Sequence, residues 1–189
     1  MDKTFPIVGI GASAGGQDAL LEFFKNLPAE PEAAFIVVTH LSPSYESQLD
    51  NIIARVSPIP TMQIQDGFRV EKNHLYVMPE NVVMTIRDGV LFLTRRHEKV
   101  NKAIDTFLTF LAQDQKERAI GIIMSGSGTD GTAGVNEIHK HGGKVFIQTP
   151  ASASFSSMPS SAINGDHPDM IGSPAMLAQH ICTLFELKP

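Results

Sequence analysis

Short apolar runs alternate with amphipathic stretches along most of the chain. Phe5 to Ile10 is apolar, stops at a glycine cluster and predicts a buried strand. Beyond Gly16, Leu20, Phe23, Phe24 and Leu27 recur at helical spacing, and Pro28 closes that helix. Phe35 to Val38 predicts a second buried strand, followed by a helix carrying Leu49, Ile52, Ile53 and Val56. The texture then changes. Tyr76 to Met78 predicts a strand, and Val82 to Ile86 and Val90 to Leu93 flank Asp88-Gly89, a strong hairpin signal. This hairpin is expected to form an antiparallel edge on an otherwise parallel sheet. Strand and helix alternate again afterwards. Ile104, Phe107, Leu108 and Leu111 mark a helix, Ile120 to Met124 a strand, and Val135 and Ile138 a helix ended by Gly142-Gly143. Val145 to Ile147 predicts the next strand, and Leu177, Ile181, Leu184 and Phe185 a terminal helix. There is no internal repeat, and the serine- and alanine-rich stretch from Ala151 to Ser161 is too short for a linker. The alternation predicts an α/β fold: a doubly wound, mostly parallel sheet with helices on both faces and an antiparallel hairpin.

Composition narrows the class. The 189 residues suit a single domain, 1–189, with a sizeable core. A formal net charge of −5 gives no support to nucleic-acid binding, which needs a basic patch or stripe. The single cysteine, Cys182, excludes an internal disulfide and fits a reducing cytoplasm. No signal-peptide core follows Met1, and no apolar run approaches the ~20 residues of a membrane span, so a soluble cytoplasmic domain is expected.

Three strand ends carry candidate chemistry. Ser13 lies in the small-residue turn Gly11-Ala-Ser-Ala-Gly-Gly16, where a following helix N-terminus would offer unpaired N–H groups to an oxyanion. It suits a nucleophile, with a simple N-cap as the alternative. Gly9-x-Gly11-x-x-Ala14 also fits a dinucleotide fingerprint, although the second strand ends in Thr39-His40 without the ribose-binding acid. A Walker A loop is excluded by the absence of Lys-Ser or Lys-Thr. His40 could take a serine proton, or simply bond a nearby carbonyl. Asp130, in Gly126-Ser-Gly-Thr-Asp-Gly131, could orient an imidazole or cap the helix that follows it. A serine, a histidine and an acid brought to neighbouring strand ends make a hydrolytic triad.

Elsewhere the residues read as structural. His139 and His141, two apart, point to different helix faces, and His74, His97, His167 and His180 show no metal-ligand spacing. The methionines read as packing filler, with Met124 and Met158 near the proposed site.

These motifs together resemble the catalytic domain of CheB-type chemotaxis protein-glutamate methylesterases over nearly the whole chain. The matching stretches are Val8 to Gly16, Val37 to Pro43, Asp66-Gly67 with His74 to Pro79, and Ile122 to Gly131. Gly142-Gly143, Gln148, Ala153 and Met158-Pro159-Ser-Ser-Ala162 match as well. The resemblance implies a serine carboxylic ester hydrolase that demethylates glutamate γ-methyl esters, and deamidates certain glutamines, on the cytoplasmic helices of methyl-accepting chemotaxis receptors. It assigns Ser13 as nucleophile, His40 as general base and acid, and Asp130 as orienter, with no cofactor and no metal. Ala14, Gly15, Ser127, Gly128 and Met158 become the oxyanion and substrate-site candidates.

Departures fall close to these residues. Ala14 replaces the family's usual threonine, Ser127 stands where a methionine is usual, and Asn101 to Asp105 replaces an Arg/Lys-Pro-Ser-Val-Asp pattern. The variants resemble the branch fused to a methyltransferase, which makes a receptor methyltransferase an expected partner. The N-terminal receiver domain of familiar response regulators is absent from the chain. A non-catalytic, esterase-like docking domain is the alternative reading.

Overall fold

Residues 5–40, 48–97 and 102–186 are described by the computed structural model. Leu41 to Pro43, after His40, and Asn101 fall outside these ranges, as do residues 1–4. The chain runs β1 (Ile7–Ala12), α1 (Gly16–Lys25), β2 (Ala34–Thr39), α2 (Leu49–Ala54), β3 (Thr61–Gln63), β4 (Leu75–Val77), β5 (Val82–Arg87) and β6 (Val90–Arg95). It continues through α3 (Ala103–Gln115), β7 (Ala119–Ile123), α4 (Thr132–Lys140), β8 (Lys144–Gln148), α5 (Ser157–Gly165), β9 (Met170–Gly172) and α6 (Pro174–Glu186).

Seven strands form one sheet in the order β3-β4-β2-β1-β7-β8-β9, and every pairing in it is parallel. Both faces are covered, which is why β1, β2 and β7 are buried at every position. Leu20, Phe23 and Phe24 of α1 pack on one face with Ile53 of α2 and Ile181 of α6. Phe107 and Leu111 of α3, Ile138 of α4 and Ala162 of α5 pack on the other. From β1 the chain first moves outward through β2, then returns to lay β7 on the opposite side of β1. The strand order therefore reverses between β1 and β7, and the carboxyl ends of these strands border the crevice in which open α/β sheets place their chemistry.

The hairpin does not extend this sheet. Asp88 (φ 50°) and Gly89 (φ 70°) close it with two left-handed residues, as a tight hairpin turn requires. β5 and β6 then form a separate two-stranded sheet, and Met84, Ile86 and Leu91 bury their side chains in the core shared with α3. The outer edge of β4 is taken instead by β3. Three short elements had no periodic signal: β3, β9 and α5, the last formed by the serine-rich stretch.

Gly9 and Gly11 lie inside β1, where α3 crosses the strand at close range. A Cβ at Gly9 would stand 2.7 Å from Leu108 Cδ2, and one at Gly11 would stand 2.4 Å from Ile104 Cγ2. The two glycines thus admit a helix and not a pyrophosphate, which disposes of the dinucleotide reading.

His139, at the end of α4, faces two carboxylates. Nδ1 meets Asp166 at 2.7 Å and Nε2 meets Asp169 at 3.0 Å, while Lys144 Nζ lies 3.0 Å from the other oxygen of Asp169. Both ring nitrogens can donate only in the imidazolium form. Burial works against that charge, yet the hydrogen bonds that the ring donates to Asp169 and Asp166 outweigh it and raise the His139 pKa above its ordinary value. A raised native pKa contributes stability that is complete below about pH 6.5 and is lost as pH rises through the native value. Urea midpoints of the wild type should therefore decline as pH rises above about 6.5. His139→Gln should be less stable at pH 6 and should lack this His139-linked decline.

Candidate active site

Ser13 follows β1 directly. Its N–H donates to the Ser125 carbonyl at the end of β7 (2.9 Å), and its own carbonyl accepts from Gly16 N–H (2.8 Å). Gly15, at φ 67°, supplies the left-handed turn that starts α1, a conformation that favours glycine. No side chain caps α1. The Ser13 hydroxyl instead faces His40, with Oγ 3.4 Å from Nδ1. His40 sits just past β2, and its Nε2 lies 2.5 Å from Asp130 Oδ2. Both ring nitrogens are thus engaged by the two residues predicted to flank them. An Nε2–H donated to the carboxylate leaves Nδ1 as an acceptor for the serine proton. The serine contact is long, as such contacts often are before substrate is bound.

Asp130 does not cap the helix that follows it; it reaches across to the start of α3. Oδ2 accepts from Ile104 N–H (3.0 Å) and Oδ1 from Asp105 N–H (2.9 Å). Asp105 returns the arrangement, its Oδ1 accepting from Gly131 N–H (2.8 Å) and Gly134 N–H (2.9 Å) at the start of α4. Each carboxylate satisfies orphan donors at the other's helix terminus. Burial would raise the pKa of Asp130, but His40 and the two α3 N–H groups outweigh it and hold the carboxyl below its usual range. Asp105 moves the other way, raised chiefly by burial and further by the Asp130 charge, against the hydrogen bonds from Gly134 and Gly131. Asp130 is therefore an ionised, nearly buried acid with three donors aimed at it, suited to holding an imidazole in one orientation.

Opposite Ser13 lies the turn after β7. Ser125 is buried; its N–H donates to Gln148 Oε1 (2.8 Å) and its hydroxyl donates to the Ala14 carbonyl (2.8 Å). Gly126 N–H donates to the Phe155 carbonyl (3.0 Å) and Gly128 N–H to Ser157 Oγ (3.1 Å). The N–H groups of Ala14, Gly15 and Ser127 donate to no group among the described residues. Met158 is fully buried against Gly126, with its Cε 2.6 Å from where a Cβ there would stand, so it forms a wall behind the turn. A cavity of about 170 Å³ opens beside Ser13 and His40, lined also by Leu20, Gln17, Thr39 and Gln48. Among the described residues no cluster of histidine, cysteine and acid side chains could hold a metal ion.

Asp105 was not legible as a site residue. An acid in the first turn of a helix reads locally as a partner for that helix's own dipole, and only the packing of α3 on α4 points it at Gly131 and Gly134. Asp105→Ala should cost about 1–2 kcal/mol of unfolding free energy in urea titrations, the scale of a lost helix cap. Asp105→Asn keeps an acceptor oxygen and should recover most of it.

The comparisons with known proteins bear on the whole of this architecture. The family model described as CheB methylesterase matches residues 8–181. A protein-glutamate methylesterase/protein-glutamine glutaminase of Pyrococcus abyssi is 32% identical over 82% of the chain, which covers 44% of that protein. One from Myxococcus xanthus is 28% identical over 83% of the chain and 47% of its own length. The chain thus spans a little under half the length of these relatives. A putative protein of the same name from Leptospira interrogans, 25% identical, is covered over 92% of its length. Among solved structures, the Thermotoga maritima CheB methylesterase catalytic domain shares the fold, with a TM-score of 0.87, 24% identity, and 96% and 99% of the two chains covered. The chain belongs to the CheB methylesterase family.

Proposed function

We propose that this chain is a serine hydrolase that cleaves glutamate γ-methyl esters, and deamidates glutamines, on the cytoplasmic helices of methyl-accepting chemotaxis receptors. The observation that carries the reading is the hydrogen-bonded row Ser13–His40–Asp130, lying in a chain whose relatives are named for these two reactions. Its place is the cytoplasm, where those helices lie; among the described residues no helix is long and apolar enough to cross a membrane. A receptor methyltransferase, acting on the same glutamates, is the partner of opposite sense.

Ser13 Oγ attacks the ester carbonyl while His40 Nδ1 takes the hydroxyl proton. The oxyanion is held by backbone N–H groups from Ala14, Gly15 and Ser127. His40 then returns the proton to the methoxy oxygen, methanol leaves, and an acyl-enzyme remains on Ser13. Water, deprotonated by His40, attacks that ester and releases glutamate. For a glutamine the leaving group is ammonia and the second half is the same. Asp130 stays ionised throughout and stabilises the imidazolium. These steps draw on no cofactor.

Labelled methanol released from methylated receptor membranes tests the reading. Ser13→Ala should abolish serine-dependent release with the fold intact, and full release by that variant would overturn the assignment. His40→Ala should be comparably severe. Asp130→Asn should retain more activity than either, because the oxyanion donors and substrate binding still contribute.

A further inference from the structure

Phe155 is half exposed, and it is held unusually firmly for an exposed aromatic residue. Its N–H donates to Ser125 Oγ (3.0 Å), and its carbonyl accepts from Gly126 N–H (3.0 Å). The ring lies against the nucleophile turn, with Cδ2 3.0 Å from where a Cβ at Gly15 would stand. The neighbouring Gly126 is as close to the serine itself, since a Cβ there would stand 3.0 Å from Ser13 Cβ. Phe155 thus spans the two turns that bring β1 and β7 together. Its backbone is clamped while half of the residue is left to solvent.

The segment that carries it and the turn it is bonded to are uncharged. From Ser125 to Thr129, and from Thr149 to Ile163, the sequence contains no Asp, Glu, Lys or Arg. Ser157 and Ser161 use their hydroxyls to bind the Gly126 and Gly128 carbonyls (3.4 Å each), so the rim is a small, neutral, hydroxyl-laced platform with one aromatic ring on it. Such a platform offers an apolar contact and no charge to pair with a free carboxylate. A rigid aromatic anchor loses little conformational entropy on binding and is the kind of residue that dominates recognition.

We propose that Phe155 is a specificity-determining residue that packs against an apolar side chain of the protein substrate, next to the glutamyl ester being cleaved, on the same helical face. The inference rests on the esterase reading above. Phe155 discriminates protein substrate from small ester: it adds binding to the first and takes no part in the bond rearrangement of either.

The test compares two substrates, methylated receptor membranes and p-nitrophenyl acetate, using the wild type, Phe155→Ala and Phe155→Leu. Phe155→Ala should raise KM for the receptor about tenfold with kcat nearly unchanged, leave acetate hydrolysis unaltered, and be partly rescued by Phe155→Leu. An unchanged receptor KM would overturn the inference while leaving the esterase intact. So would an equal loss on both substrates, which would make the ring a prop for the turns around Ser13. Failure of the wild type on both esters would overturn the esterase reading, and this inference with it.

Discussion

Two aspartates exchange places at the helix termini behind the site, and the geometry of the site descends from that exchange. Asp130, at the start of α4, accepts from the first N–H groups of α3, while Asp105, at the start of α3, accepts from the N–H groups of α4. Helix N-termini carry orphan donors and partial positive charge, so each carboxylate finds a built-in anion site on the other helix. The crossing can occur only because the helices approach closely. A Cβ at Gly134 would stand 2.7 Å from Leu108 Cβ. With both oxygens of Asp130 so committed, the imidazole of His40 has one fixed partner and one available orientation.

The second constraint is the contact between β1 and β7. Gly9 and Gly11 let α3 lie directly across β1, which carries the N-terminus of α3 to the carboxyl end of the sheet where Ser13 emerges. On the other side, the Ser13 N–H to Ser125 carbonyl bond ties the nucleophile turn to the end of β7. Ser125 then distributes the restraint through Gln148, Ala14 and Phe155. Serine, histidine and acid come from three strand ends. Their mutual placement is set by buried backbone hydrogen bonds and not by the loops alone, which is how precise sites are held on rigid elements.

Electrostatics divides the surface near the site into two zones. The inner zone concentrates charge where it is shielded: an ionised, nearly buried Asp130 with its donors, and Asp105 raised beside it. The outer zone, made of the Ser125–Thr129 turn and the segment leading into α5, carries no ionisable side chain. Under the proposed reaction, these uncharged segments offer the carboxylate product no cation to retain it.

Much of this was legible in the residue pattern. Long buried strands and amphipathic helices announce themselves by periodicity, because each must bury a continuous stripe, and the elements around Ser13, His40 and Asp130 are of this kind. The three residues could be singled out because Ser13 and His40 closely follow apolar runs and Asp130 lies in the glycine-rich turn after another. Short pieces were not. β3 and β9 have three residues each, too few to show a period, and α5 is built of small polar residues that speak for a loop until neighbours pin them. The place of the hairpin depended on competition for a sheet edge, which β3 wins and local sequence does not encode. The same holds for roles: glycines that resemble a phosphate loop turned out to admit a helix, and Asp130 caps α3 instead of α4. Local sequence sets which groups are available and what each prefers; which of several satisfactory partners a group takes is settled only when distant elements close on one another, because the competing bonds are alike in energy and differ only in where the fold puts them.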